Sequence, residues 1–281
     1  MSKKSLHPEL FLHLTENISD KQFAKFKKLV FDISGIEISD NKKIWLVGRL
    51  SQRFKILGCT SFLDYFNHVN GKNGAPELQV MLDLLTTNET YFFREPEHFN
   101  FLRDRATCHR KGSTFRVWSA ASSSGEEAYT MAMVLAETLG NAAWEILGTD
   151  ISTKVLDKAK TGHYPLARTD GIPYPLLKKY CRKGILEQNG TLLINKELRK
   201  RVQFLQCNLM DPPRNLGAFD VIFLRNVMIY FKKETKKKVI ANLMPYLKPD
   251  GRFVVGHCES LYQLTNDLVA EQPTIYRRSL M

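Results

Sequence analysis

Between Phe115 and Asp150 the chain passes through an apolar strand, a serine-rich turn, a helix and a second strand that ends on a carboxylate. Few folds accept that order. Phe115-Arg116-Val117-Trp118-Ser119-Ala120 reads as a short buried strand and Gly125 to Leu139 as a helix. Trp144 to Gly148 reads as a strand ending at Asp150, and Ser152 to Lys160 as a second helix. Strands alternating with helices predict a parallel sheet with covering helices. The alternation resumes with a strand at Phe219 to Leu224, a helix at Lys233 to Leu247 and a strand at Arg252 to Val255. Thr274 to Arg278 is expected to form a final edge strand. The stretch from Gly162 to Arg201 interrupts the pattern with Pro165, Pro173, Pro175 and an expected hairpin around Asn189-Gly190, and reads as an insertion.

The region before residue 87 has helical periodicity instead. Ser19-Asp20 can cap a helix whose apolar positions Phe23, Phe26, Leu29, Val30 and Ile33 recur at steps of three and four until Gly35 stops it. A second helix is expected from Asp40 to near Gly58, with Leu46, Val47, Leu50, Phe54 and Leu57 on one face. Two shorter helices, Ser61 to Val69 and Glu77 to Leu85, flank the turn sequence Asn70-Gly71-Lys72-Asn73-Gly74. The expected organisation is a helical domain over 1–86, a linker and joining helix over 87–114, and an α/β domain over 115–281 with its insertion at 162–201.

Bulk properties set limits. A 281-residue chain that is 43% hydrophobic can bury an ordinary core. No apolar run approaches the roughly 20 residues that cross a bilayer, and Met1-Ser2-Lys3-Lys4-Ser5 lacks a signal peptide's apolar stretch, so a cytoplasmic protein without membrane insertion is expected. The five scattered cysteines contain no Cys-x-x-Cys pair, which gives no sign of a metal site. The net charge of +12, from 41 basic and 29 acidic side chains, favours an acidic partner without choosing among nucleic acid, membrane and protein.

Four constellations carry chemistry. The loop Ser119-Ala120-Ala121-Ser122-Ser123-Ser124-Gly125-Glu126-Glu127 has one glycine where a dinucleotide site has three, so a pyrophosphate cradle is absent. Side chains no larger than serine, Ala120 among them, still admit close approach of a ligand to the backbone. The alternative is a turn with no ligand. Asp150, roughly twenty residues beyond the loop, stands where Rossmann-like sites hold ribose hydroxyls, or it caps the next helix. Thr87-Asn88-Glu89-Thr90-Tyr91-Phe92-Phe93-Arg94-Glu95 mixes rings with Asn, Thr and Arg, as expected of a segment lying across a site or packing two domains together. Arg225, Asn226 and Tyr230 follow the strand at Phe219, at the sheet end where ligands bind. Amino-group methyltransferases place Asn or Asp, Pro-Pro and an aromatic residue there. That motif is missing, and Asp211-Pro212-Pro213 precedes the strand and reads as a turn.

Taken together these pieces, with Thr149-Asp150-Ile151 and Leu247-Lys248-Pro249-Asp250-Gly251, resemble the chemotaxis receptor glutamate methyltransferases, the CheR family, over nearly the whole chain. The resemblance implies a Rossmann-like class I methyltransferase sheet with a small antiparallel β insertion, preceded by an all-α domain. It implies S-adenosylmethionine as cofactor and S-adenosylhomocysteine as product. It places cofactor contacts at Asn88, Thr90, Arg94, Glu127, Asp150, Asn208, Leu209, Arg225 and Asn226, beside Ala120 of the loop, and puts Arg94 and Tyr230 near the reacting groups. The implied partner is the acidic methylation region of a membrane chemoreceptor. In some members the insertion also binds a receptor's C-terminal pentapeptide through a glycine-rich turn, whereas here Arg182-Lys183-Gly184-Ile185-Leu186-Glu187 has one glycine. On the second helix, Lys42, Arg49 and Arg53 fall within roughly 40° of one another at about 100° per residue, a cationic stripe that this resemblance assigns to the receptor. A nucleic-acid methyltransferase is the rival for a chain with pI ≈ 9.4, opposed by the missing Pro-Pro motif and the lack of an RNA-binding module. A non-catalytic cofactor sensor is a second rival.

Overall fold

The computed structural model describes residues 18–110 and 112–279, so the expectation about Met1 to Ser5 lies outside them. The described residues form two compact units that meet in sequence between Thr87 and Asn88.

In the first unit the helix caps act as the sequence predicts. Helix α1 (Asp20–Ser34) starts at a capping box in which Ser19 Oγ accepts the Gln22 N–H and Gln22 Oε1 accepts the Ser19 N–H, and it ends at Gly35 with φ 73°. Helix α2 (Lys43–Leu57) follows a tighter 3₁₀ turn over Asp40–Lys42. Helices α3 (Phe62–Asn70) and α4 (Ala75–Leu85) complete the bundle. Its core is aromatic: Phe54 packs 4.6 Å from Phe62 and stacks 5.1 Å from Tyr65. Inside it the Glu77 carboxylate, 6% exposed, accepts from Tyr65 Oη (2.8 Å) and Arg53 Nε (2.9 Å). These contacts correct the cationic stripe. Arg53 sits at the expected helical angle, but its guanidinium turns inward to neutralise a buried carboxylate, where removing one partner typically costs about 3–5 kcal/mol. The Glu77 hydrogen bond, together with the carboxylate charge, raises the Arg53 pKa against the pull of burial. Lys42 and Arg49 remain on the outer surface, 5.2 Å and 5.5 Å from the Trp45 ring.

The second unit is a seven-stranded sheet in the order β6-β2-β1-β7-β8-β10-β9. Its strands are β1 (Phe115–Ser119), β2 (Trp144–Asp150), β6 (Val202–Gln206), β7 (Phe219–Leu224), β8 (Leu247–Val255), β9 (Leu268–Gln272) and β10 (Ile275–Arg278). β1, β2, β6, β7 and β8 run parallel, and β10 is antiparallel to both neighbours. β10 therefore is not the expected edge strand: β9, which the sequence pattern does not announce, covers it. Helices α5 (Glu97–Thr107) and α6 (Glu126–Leu139) pack against each other, α7 (Thr153–Thr161) follows β2, and α10 (Lys233–Leu243) precedes β8. The insertion holds β3 (His163–Pro165), α8 (Tyr174–Tyr180), β4 (Cys181–Lys183), β5 (Thr191–Ile194) and α9 (Lys196–Arg199), with an antiparallel sheet in the order β3-β5-β4. Among the described residues no helix is long and apolar enough to cross a membrane.

The strand order reverses between β1 and β7, leaving a crevice beyond their carboxyl ends. Phe115, Val117, Trp118 and every residue of β7 are buried, so the apolar sheet fixes the position of the polar loops above it.

Candidate functional site

Asp150 joins the first two loops of the crevice. Its Oδ2 accepts the Ser123 N–H at 2.9 Å and its Oδ1 accepts the Ser152 N–H at 2.9 Å. The carboxylate is thus tied to the serine loop as well as to the helix start. The loop turns sharply through Ser123 (φ 47°) and Gly125 (φ 93°). A Cβ on Gly125 would lie 2.8 Å from Ala159 Cβ, and one on Gly148 would lie 2.6 Å from the Phe204 ring. Only glycine fits at either position. Ala120 is buried at the end of β1, where its N–H donates to the Phe223 carbonyl at 2.8 Å and its carbonyl accepts from Thr149 Oγ1. Asn208 and Leu209 follow β6 next to the end of β2: the Cys207 N–H donates to the Asp150 main-chain carbonyl, and Asn208 Oδ1 accepts the Met210 N–H at 3.0 Å.

Across the switch point a buried ionic cluster gathers residues distant in sequence. Arg225, with its side chain 1% exposed, donates to Glu127 Oε2 and to Glu95 Oε2, each at 2.9 Å, and to the Arg94 carbonyl. Glu127 also accepts from Ser119 Oγ at 2.7 Å. Burial raises the Glu127 pKa against the pull of Arg225, whereas at Glu95 burial is outweighed by hydrogen bonds from Arg225 and Asn226, which hold its pKa down. Asn226 is left-handed at φ 56° and donates to Glu95 Oε1 at 3.1 Å. Glu95, which no sequence signal singles out, is the carboxylate that binds these groups together.

The Asn88 to Glu95 segment lies over this cluster. The Asn88 carbonyl accepts from Ser123 Oγ, and the buried Thr90 offers its carbonyl to Arg168 of the insertion at 2.8 Å. Phe93 and Glu95 both adopt φ 57°, a conformation that costs non-glycine residues about 1 kcal/mol or more and collects at functional sites. Between them the half-buried Arg94 donates to the Glu89 carbonyl at 3.1 Å, with its guanidinium 5.6 Å from the Tyr91 ring. Tyr230 ends the 3₁₀ turn Met228–Tyr230 after β7 and is half-buried. Asp211-Pro212-Pro213 precedes β7, and the Pro213 carbonyl is taken by Tyr246 Oη. Lys42, Arg49 and Arg53 belong to the other unit.

Sequence reasoning missed two further groups. Glu259, in the loop after β8, accepts backbone N–H groups from its own loop (Gly256) and from the loop after β7 (Asn226 and Met228). His98, 1% exposed, places Nε2 2.7 Å from Thr274 Oγ1 and Nδ1 3.4 Å from Glu95 Oε2. Glu95, His98 and His257 bring ligand-type atoms within 4.8 Å of one another. The same Glu95 oxygen, however, already serves the Arg225 cation 2.9 Å away, and a second cation there would meet like charge.

Burial first, and Arg225 second, hold the His98 pKa down to about 4 from 6.5. Between those values the unfolded chain binds a proton that the folded chain refuses. Stability is therefore full above pH 6.5 and falls as the pH drops towards 4. The melting midpoint of the native protein is expected to fall by about 5 °C more than that of a His98→Gln variant between pH 7 and 5. Parallel profiles would contradict this assignment.

A crevice at a topological switch point, with an acidic residue ending β2 and no pyrophosphate cradle, fits a nucleoside ligand carrying a small polar tail. Ser122 Oγ, in the loop after β1, and Arg225 Nε, after β7, are buried without a partner. This is the architecture of the methyltransferases that use S-adenosylmethionine. Residues 88–276 match the family profile described as CheR methyltransferase, SAM binding domain, and residues 21–86 match CheR methyltransferase, all-alpha domain. The chain is 38% identical over 275 residues to the chemotaxis protein methyltransferase of Escherichia coli (strain K12), covering 96% of each. It is 36% identical over 279 residues to the protein of the same name from Borreliella burgdorferi, covering 95% of this chain and 97% of that one. It is also 36% identical to chemotaxis protein methyltransferase 2 of Pseudomonas aeruginosa, covering 91% and 92%. The chain belongs to the CheR methyltransferase family, and it is an S-adenosylmethionine-dependent methyltransferase.

Proposed function

We propose that the protein converts glutamate side chains in the cytoplasmic methylation region of chemoreceptors to methyl esters. The observation that carries this reading is Arg94. It stands between two left-handed residues, its main-chain carbonyl takes Arg225, and its guanidinium is held by one carbonyl and one ring, so it keeps donors for an incoming carboxylate. The Pro-Pro and aromatic residues that amino-group methyltransferases place after this strand are absent from the loop after β7, where Arg225 and the Asn226 amide N–H are turned to Glu127 and Glu95.

A glutamate with a pKa of roughly 4.3 is already ionised at neutral pH, so the displacement requires no general base. The cofactor supplies an activated methyl group. Arg94 holds one carboxylate oxygen and leaves the other as nucleophile, because gripping both lowers reactivity. Tyr230 lines the approach and orients the substrate. Asn88, Thr90, Glu127, Asp150, Asn208, Leu209, Arg225 and Asn226, with the Ala120 turn, hold the cofactor, and enclosure of the crevice keeps water from the carboxylate. The reading is tested by following S-adenosylhomocysteine with and without a chemoreceptor cytoplasmic fragment. Product in both arms, or in neither, contradicts it.

Receptor docking is assigned to Lys42 and Arg49, which flank Trp45 on α2. Converting both to Glu is expected to raise KM for the receptor fragment about tenfold, the more so at low salt, and to leave cofactor affinity unchanged. Equal loss of both affinities contradicts the assignment. A receptor's C-terminal pentapeptide is assigned to a groove of about 460 Å³ on the insertion, lined by His163, Arg182, Lys183, Gly184, Ile185 and Leu193. There β4 is an edge strand open to pairing, and Arg182 and Lys183 match a terminal carboxylate.

A further inference from the structure

We infer that Glu259 is a positioning residue for methyl transfer: it holds the turn that carries Tyr230, and acts through that side chain. This builds on the proposed role of Tyr230.

Glu259 lies in the loop after β8 and is 8% exposed. Its carboxylate accepts three backbone N–H groups from two loops. Oε2 takes Gly256 at 2.7 Å and Asn226 at 2.8 Å, and Oε1 takes Met228 at 2.7 Å. The two oxygens thus divide the work. Oε2 closes its own turn and fixes the left-handed Asn226, while Oε1 alone reaches the first residue of the 3₁₀ turn Met228–Tyr230. The loops must approach closely for this. A Cβ on Gly256 would lie 2.6 Å from Asn226 Nδ2, 2.9 Å from Glu259 Oε2 and 3.0 Å from Asn226 N. A neutral side chain does not replace the carboxylate, because three donors converging on one group need acceptors at both ends, and only the ionised form is acceptor-only.

The amide of Glu259→Gln retains one acceptor oxygen. Set against the two donors Gly256 and Asn226, that oxygen keeps the cofactor side of the loop in place, and the NH2 group then faces the Met228 N–H, donor against donor. The substitution should therefore release the Tyr230 turn selectively. A displacement of about 1 Å at a reacting group costs up to roughly 100-fold in rate. We expect kcat for methyl transfer to a chemoreceptor cytoplasmic fragment to fall about 10- to 100-fold, with the affinity for S-adenosylhomocysteine within about threefold of native.

The test is a double-mutant cycle with Tyr230→Phe, reading kcat at saturating cofactor. If Glu259 acts through Tyr230, Glu259→Gln costs little once the tyrosine is altered, and the two losses do not multiply. Losses that multiply, or an unchanged kcat in Glu259→Gln, overturn the proposal. An unchanged kcat in Tyr230→Phe alone removes the reading of Tyr230 and takes the proposal with it, and this result is visible in the single variant before the cycle is closed. Should Glu259→Gln not fold, the same cycle is run with Glu259→Asp, which keeps both acceptors one methylene short of Met228.

Discussion

Arg94→Ala will lower kcat for methyl transfer by about 100- to 1000-fold, the loss typical of removing a donor aimed at a reacting oxygen. The melting midpoint should hardly move, since the side chain contributes one hydrogen bond to the Glu89 carbonyl and one ring contact with Tyr91. Arg94→Lys should recover only part of the loss, because a point charge keeps the attraction and gives up the planar donors that hold one oxygen in place. Initial rates with a receptor fragment at saturating cofactor separate this effect from cofactor binding. A kcat within threefold of native in Arg94→Ala would place the carboxylate elsewhere.

The second large effect belongs to Asp150. Asp150→Asn should raise the Kd for S-adenosylhomocysteine about 100-fold, equivalent to about 2.7 kcal/mol. The carboxylate accepts the N–H groups of Ser123 and Ser152 with separate oxygens. An amide can keep one of them and opposes the other with a donor, so the serine loop loses its seat at the same time as the ribose loses an acceptor. Calorimetric titration with S-adenosylhomocysteine measures this directly. An unchanged Kd would leave Asp150 as a structural tie between β2 and its loops.

How far the chain could be read before its structure depended on the range of the interactions. The helices of the first unit were legible because their signals are local: Ser19 with Gln22, Gly35, and the stripe through Leu46, Val47, Leu50 and Phe54. The run from β1 to α7 was legible because a strand buried on both faces is an apolar run, and because Asp150 and Gly125 sit at fixed offsets within it. β6 and β9 were not. Each is an edge strand with most of its residues in contact with solvent, so neither shows a clean period of two. β10 was read as an edge because its burial comes from β9, a strand with no sequence signal of its own.

The site divides along the same line. Arg94 and Glu127 were named through the family resemblance, and Arg225 and Asn226 also by their place after a strand, but what each touches was hidden. Glu95 reaches Arg225 across 130 residues and Glu259 reaches Asn226 across 33, separations that no periodicity encodes. Arg53 shows the same limit. A helical wheel supplies its direction, and the structure supplies Glu77, 24 residues on, which pairs with that charge.

The bond formed by methyl transfer identifies the acceptor. The protein is incubated with cofactor carrying a labelled methyl group and with a chemoreceptor cytoplasmic fragment, and the labelled fragment is then exposed to mild base. Release of the label as methanol, and its absence when the acceptor glutamates are replaced by alanine, is the result predicted for a carboxylate methyl ester. Label that survives base, as methyl on nitrogen does, would contradict the account.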